Sequence, residues 1–141
     1  MLIRTALNVV ISLLFLLALT ACQPPAENTS QLLLLQTATL QLTLSPEHAP
    51  VETPLQLRLQ SQKPLRAISG ELQGISMYMG RIPLVWRQQL AEQPEALTTW
   101  QAELFLGACR DPDMQWQLQL ILDYQDGERE LHQLQFTSSW R

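Results

Sequence analysis

The alternation of leucine with polar residues constrains the fold of this chain more than any other feature. Because successive side chains of a β-strand point to opposite faces, such a segment predicts a strand with one buried face and one solvated face. No stretch carries a sustained helical period, and residues 90–97 would form one helical turn at most. Four segments show the alternation clearly, with Gln the commonest polar residue: 40–44, 55–60, 100–106 and 116–120.

Turn-forming residues separate these runs and set the number of strands. Asp111-Pro112-Asp113 marks a tight turn, and Asp126-Gly127 between two alternating runs predicts a β-hairpin. Short strands at this spacing predict an all-β fold, an immunoglobulin-like antiparallel β-sandwich over residues 31–141. A cupredoxin-like sandwich or a small barrel is the alternative. We expect about seven strands, at 38–45, 54–61, 66–73, 75–79 with 82–88, 98–106, 114–124 and 129–138.

Four consecutive leucines, Leu32–Leu35, precede the first of these strands. Both faces of an extended segment would be apolar there. We therefore expect a strand that is buried on both faces, with a contact to a membrane as the alternative.

The N-terminus has the layout of an export signal. Arg4 supplies a positive charge, and the apolar run from Val9 to Leu19 is interrupted only by Ser12. That run is shorter than the roughly 20 apolar residues of a membrane span and fits the apolar region of a signal peptide. We therefore predict that residues 1–21 are a signal peptide. An uncleaved membrane span over residues 2–21 is the alternative.

The four residues Leu19-Thr20-Ala21-Cys22 resemble the lipobox of bacterial lipoproteins, in which an aliphatic and two small residues precede an invariant Cys. The resemblance implies cleavage before Cys22, a diacylglycerol thioether on its sulfur, and acylation of the new N-terminus by a fatty acid such as palmitate. Residues 22–30 would then be the lipidated Cys and a Pro-rich, flexible tether. By the same resemblance, Gln23 in place of Asp favours the outer membrane over the inner one, on the periplasmic face.

Composition excludes several classes of protein. The net charge is -4 and the pI is about 5.0, and no cluster of Lys and Arg exists, so a nucleic-acid partner is not expected. Two cysteines make neither a disulfide framework nor a four-Cys zinc site.

Residues 66–88 depart from the simple alternation. Ile68 and Leu72 share one face, but beyond Gly74 the apolar positions move by one residue to Ile75, Met77 and Met79. A one-residue shift reverses every side chain, so we predict a bulge or a strand break at Gly74. Met77 and Met79 would then project from one side of a strand.

Two further sulfurs lie near predicted strand ends, in Cys109 and Met114. Strand ends from distant parts of a sandwich meet at its poles, and thioether and thiolate ligands select Cu(I). The segment Met77-Tyr78-Met79-Gly80 resembles a Met-x-Met-Gly segment of small periplasmic β-sandwich domains that handle copper for respiratory oxidases. The resemblance implies a site formed by Met77, Met79, Cys109 and Met114. It departs in having no His beside the Met pair, which leaves Cu(I) rather than Cu(II).

Other interpretations of these residues stay open. Core packing also explains Met77, Met79 and Cys109, and it is the more frequent role of such residues. A Cys109–His132 nucleophile pair would need geometry that sequence does not give. We expect a lipid-anchored binding protein without enzymatic activity, with Cu(I) storage or delivery as its function. The alternative is a structural or interaction lipoprotein that contacts a membrane-protein partner and holds no metal.

Overall fold

The computed structural model describes residues 30–89 and 97–140, and within them it contains nine strands and no helix. Among these residues, therefore, no helix is long and apolar enough to cross a membrane. The strands in chain order are β1 (Leu32–Gln36), β2 (Leu40–Ser45), β3 (Pro54–Ser61), β4 (Leu65–Gly74), β5 (Arg81–Pro83), β6 (Arg87–Gln89), β7 (Thr98–Phe105), β8 (Gln115–Tyr124) and β9 (Arg129–Thr137).

The strands form two antiparallel sheets, which confirms the predicted β-sandwich. One sheet has five strands in the order β1-β2-β3-β7-β6, and the other has four in the order β5-β4-β8-β9. The predicted signal peptide, most of the tether and most of the predicted helical turn (residues 1–29 and 90–96) lie outside the described residues.

Alternating leucines supply the core between the sheets, as the sequence pattern predicts. Leu42 and Leu59 of one sheet and Trp116 and Leu120 of the other have no exposed surface. Burial of a leucine side chain contributes about 1.5–3 kcal/mol each, so these inward rows are the main stabilising element of the fold.

The predicted strand over 82–88 is divided between the two sheets. β5 pairs with β4, whereas β6 pairs with β7 in the opposite sheet. Between them, Leu84 is buried and its backbone N–H donates to the Gly70 carbonyl at 2.9 Å. The chain therefore crosses from one sheet to the other around a buried side chain, which adds a strand to the predicted number.

Leu32–Leu35 form most of β1, but the expected burial on both faces is wrong. β1 is an edge strand with a register shift between Leu33 and Leu35, and Leu33 is 50% exposed. An edge strand has only one sheet face against the core, so its outward leucine remains in solvent.

The two ends of the sandwich carry different kinds of side chain. The sulfur pole comprises loops 46–53, 75–80 and 106–114 with residues 138–140. The charged pole comprises turns 37–39, 62–64 and 125–128. The predicted β8–β9 hairpin is confirmed at the charged pole, where Gly127 adopts a φ of +92°.

Candidate functional site

The loop 75–80 at the sulfur pole begins where β4 ends at Gly74. A Cβ on Gly74 would lie 2.2 Å from the Met77 carbonyl oxygen and 2.2 Å from the Met114 methyl carbon, so only glycine fits. The loop therefore folds back over the strand end. The predicted break at Gly74 is confirmed, while the predicted strand over 75–79 is wrong, because these residues form an irregular loop.

Two hydrogen bonds hold the start of this loop against β8. The Ile75 N–H donates to the Gln115 carbonyl at 2.8 Å. The Gln115 N–H donates to the Ser76 hydroxyl oxygen at 3.1 Å. The methionines that follow are thus carried on a loop whose base is fixed to the first residue of a central strand.

Met77 and Cys109 come together at this pole from segments 32 residues apart. The Cys109 thiol donates to the Met77 thioether, with 3.2 Å between the two sulfurs. Cys109 is partly buried, and 44% of Met77 is exposed. The exposure of Met77 argues against the core-packing interpretation of its sequence position.

Met79 reaches the segment that precedes Cys109. Its methyl carbon is 3.5 Å from the position that a Cβ on Gly107 would take. Because 36% of Met79 is exposed, it does not fill the core either. Met77 and Met79 do not share a strand face, contrary to the prediction from the sequence, but both side chains lie near the 107–109 segment.

Met114 occupies a different position from the other three sulfur residues. Its side chain is 1% exposed and belongs to the core cluster, with its methyl group against Gly74. It therefore lies under the loop that carries Met77 and Met79. It is not part of the sulfur patch nearer the surface, which Met77, Met79 and Cys109 form. Its carbonyl accepts the Ser138 N–H at 3.0 Å, which ties it to the C-terminal end of β9.

The donors of this patch are sulfur atoms. Within residues 30–89 and 97–140, no three His, Cys, Asp or Glu side chains approach closely enough to hold a metal ion. Asp111, near Cys109, accepts the Asp113 N–H at 3.0 Å and so forms the predicted turn. A cation held by Met77, Met79 and Cys109 would therefore be a soft one.

The two histidines differ in position, because His48 lies in loop 46–53 of the sulfur pole and His132 lies on β9. His48 is exposed and pairs with Glu47 at 3.2 Å. His132 bonds Glu130 at 2.9 Å and pairs across the sheet with Leu120, six residues along β8 from Met114 and about 20 Å from it. The Cys109–His132 pair considered from the sequence is not formed, and His132 is 20% exposed rather than directed into solvent.

The fold has a counterpart among solved structures. The crystal structure of a DUF4426 family protein from Pseudomonas aeruginosa PAO1 superimposes with a TM-score of 0.50 at 11% sequence identity. The similarity covers 79% of this chain and 97% of that chain. No protein-family model matches the sequence, and no curated protein does so significantly. At this identity the similarity supports the sandwich fold alone.

Sequence reasoning missed the exposed apolar side chains that accompany the sulfurs. Tyr78 is 80% exposed, Phe105 is 54% exposed and Trp140 is 55% exposed. All three belong to the sulfur pole or, for Phe105, to the last residue of β7 beside it. A signal was present at Phe105, because an aromatic residue occupies an outward position of a strand whose other outward positions are polar.

Proposed function

We propose that this protein is a lipid-anchored β-sandwich of the periplasmic face that binds Cu(I) at its sulfur pole and stores or delivers it. The observation that carries the proposal is the 3.2 Å approach of the Cys109 and Met77 sulfurs. Met79, whose methyl carbon lies near Gly107, is the third candidate donor. Met114, buried beneath, is the fourth candidate.

The arrangement of the sulfurs suits Cu(I) chemically. Metal–sulfur bonds of about 2.3 Å keep two ligand sulfurs within about 4.6 Å of each other, and the Met77–Cys109 pair is already inside that limit. Thioether side chains have three rotatable bonds and adjust easily around one ion. Binding of the metal displaces the thiol proton of Cys109, since the thiolate is the ligand.

Exposure of the patch favours exchange over permanent structural binding. Met77 and Met79 lie at the surface on one loop, where a donor or an acceptor can reach them. A structural metal, in contrast, is usually enclosed by its ligands. Storage or delivery therefore fits the position of these residues better than a purely structural role.

The anchoring part of the proposal rests on Cys22 and the lipobox that precedes it. Several acyl chains at about 0.8 kcal/mol per buried CH₂ would hold the protein durably at the membrane. Gln23 favours the outer membrane. The alternative function, a metal-free interaction lipoprotein with a membrane-protein partner, is favoured by the exposed Tyr78, Phe105 and Trp140 side chains.

An anaerobic Cu(I) titration of the mature lipoprotein in detergent, against a colorimetric Cu(I) chelator, tests the metal site. We expect one Cu(I) per chain with a dissociation constant below about 1 µM. Cys109→Ser should weaken binding at least about 100-fold, and Met77→Leu and Met79→Leu should each weaken it measurably. X-ray absorption should show sulfur ligands at about 2.3 Å.

Met114→Leu is the matched control, since it removes a sulfur while keeping the volume of a buried side chain. If binding is unchanged in Met114→Leu, the site has three protein sulfurs, and a loss there assigns the fourth ligand. Circular dichroism of each variant establishes that it folds. Absence of Cu(I) binding by the folded wild type would refute the proposal and leave the interaction lipoprotein.

A further inference from the structure

The first described residue, Ser30, lies at the sulfur pole. Its carbonyl accepts the Glu47 N–H at 2.9 Å, and Glu47 belongs to loop 46–53. The same loop bonds Leu106 through the Glu52 N–H at 2.8 Å and Ser139 through the Val51 N–H at 2.9 Å. The chain that leads back towards Cys22 therefore leaves the sandwich at the pole that carries Met77 and Cys109.

The length of that connection limits how far this pole can be from a lipidated Cys22. Eight peptide links separate Cys22 from Ser30. Fully extended, they span at most about 29 Å, which is similar to the thickness of the hydrocarbon core of a bilayer. The sulfur pole is therefore confined near the lipid surface, while the charged pole lies at the far end of the strands.

The side chains exposed at the confined pole are those that membrane interfaces favour. Tyr78, Phe105 and Trp140 are each more than half exposed, and Ile75 beside them is 41% exposed. Tyr and Trp are enriched at the boundary between lipid and water, because an apolar ring and a polar group are satisfied there together. Three exposed aromatic residues lie at the end of the sandwich where the proposed anchor begins, which distinguishes that end from a surface with single, scattered apolar residues.

Charge does not explain an attraction of this pole to lipid. Its loops carry four acidic side chains and one arginine: Glu47, Glu52, Asp111, Asp113 and Arg110. An anionic membrane surface would not attract these loops and would tend to repel them, because acidic side chains outnumber basic ones there. Apolar contact is therefore the available source of affinity, and it should be insensitive to salt.

We propose that the sulfur pole rests on the phospholipid bilayer, with Tyr78 of loop 75–80 in the interface and Phe105 and Trp140 beside it. This inference rests on the lipid anchor of the proposed function and is independent of copper. It places Met77 and Cys109 at the membrane surface. A metal held there would be exchanged with a membrane-bound acceptor without release into bulk solvent.

Site-directed nitroxide labelling of the mature lipoprotein in phosphatidylcholine vesicles tests this arrangement. Cys109→Ser leaves Cys22 as the lipidated cysteine, and Tyr78→Cys then places a single label at the proposed contact. Gln125→Cys in the same background places a matched label at the exposed charged pole. We expect the label at 78 to be reached by lipid-soluble oxygen and shielded from an aqueous nickel relaxant, and the label at 125 to show the opposite.

Each outcome bears on a different part of the inference. If the protein floats with the vesicles but both labels are aqueous, the docking is refuted and the anchor stands. If the protein does not float, the anchor fails as well. If the label at 78 is aqueous in pure lipid and shielded only in native membranes, a membrane protein covers the pole, and the bilayer assignment is refuted.

A second measurement avoids any change at loop 75–80. Lipids brominated near the headgroup should quench the Trp140 fluorescence, obtained as the difference between the wild type and Trp140→Phe. Leu131→Ser removes an equally exposed apolar side chain from β9 and should leave that quenching unchanged. Unquenched Trp140 in a vesicle-bound protein would contradict the proposed orientation.

Discussion

At the charged pole, polar side chains bind one another, whereas at the sulfur pole reactive and apolar side chains remain open to solvent. Lys63 pairs with Glu128 and lies 3.7 Å from Asp126, and the Arg129 Nε donates to Asp123 at 2.6 Å. The hydrogen bond to Glu128 raises the pKa of Lys63, and the hydrogen bond from Arg129 lowers the pKa of Asp123. At the sulfur pole, in contrast, the side chains of Met77, Met79 and Tyr78 are 44%, 36% and 80% exposed to solvent.

This difference is the reason that we place the proposed binding site at the sulfur pole rather than at the charged pole. Charges that neutralise each other gain little from a further ligand, and exposed ion pairs of this kind are worth little to stability. Exposed thioethers and aromatic rings gain much from a soft metal or an apolar surface. The strands between the poles supply the stability that allows the sulfur pole to remain open.

The largest expected effect on stability comes from a glycine substitution. The two poles need their glycines for different reasons, so the same substitution should cost different amounts. Gly74→Ala forces a Cβ against the Met77 carbonyl, which cannot move without the loop, and should cost about 3 kcal/mol of unfolding free energy. Gly127→Ala at the charged pole meets open space and pays only for its positive φ, about 1 kcal/mol. Urea denaturation of both variants measures the difference.

Gly80→Ala is the control for Gly74 within the same loop, because Gly80 has a φ of +79° and open space around its Cβ position. It should therefore behave like Gly127→Ala. Equal destabilisation by all three substitutions would mean that the close approach at Gly74 does not shape loop 75–80.

The next largest effect on stability concerns a buried hydrogen bond beneath the sulfur pole. The Trp116 indole N–H donates to the Ser138 hydroxyl at 3.0 Å, and both residues are buried. Ser138→Ala would leave this donor without its partner and should cost about 2 kcal/mol by urea denaturation. Thr137→Ala, at the exposed neighbouring position, should cost much less. An equal loss in the two variants would show that the indole–hydroxyl bond contributes little to stability.

The effect that is smallest at neutral pH belongs to the charged pole and appears only at high pH. Burial raises the pKa of Tyr124 to about 12 from 10.0, and the charge of Glu130 adds to the shift. Because the unfolded chain loses this proton at a lower pH than the folded chain, ionisation of Tyr124 favours unfolding, and stability falls as the pH rises from 10 to 12.

Tyr124→Phe should therefore have nearly the same stability as the wild type at pH 7 and a shallower decline above pH 10. Its hydroxyl has no hydrogen-bond partner of ordinary geometry among the described residues, so little is lost by removing it. Chemical denaturation across that pH range measures the change in slope. Parallel profiles for the two proteins would contradict the assignment to Tyr124.

Some of this architecture could be predicted because it depends on local pattern. The alternating leucines determined the inward faces of β2, β3 and β8, and Asp126-Gly127 determined the hairpin. The prediction failed at residues 75–79, where an apolar alternation lies in a loop. Alternation predicts a strand only where a neighbouring strand is present to pair with it, and the pairing of β4 with β8 ends at Gly74, where the chain folds back over the strand end.

The candidate site was predictable by residue type but not by geometry. The sequence shows four sulfurs in two short segments, and it cannot show which of them meet. The structure joins Met77 to Cys109, places Met79 beside Gly107 and buries Met114. It also places the exposed aromatic residues on the same pole as the sulfurs.

Local patterns in the sequence were enough to predict the class of fold, the inward faces of the strands and the residues from which a soft-metal site would be made. These follow from period-two alternation and side-chain chemistry, which are local properties. The three-dimensional structure was needed to show that loops 75–80 and 106–114 meet, and that Ser30 leaves the sandwich at the same end. Both depend on how β4, β7 and β1 are ordered in the two sheets, and sheet order is a long-range property that no local pattern encodes.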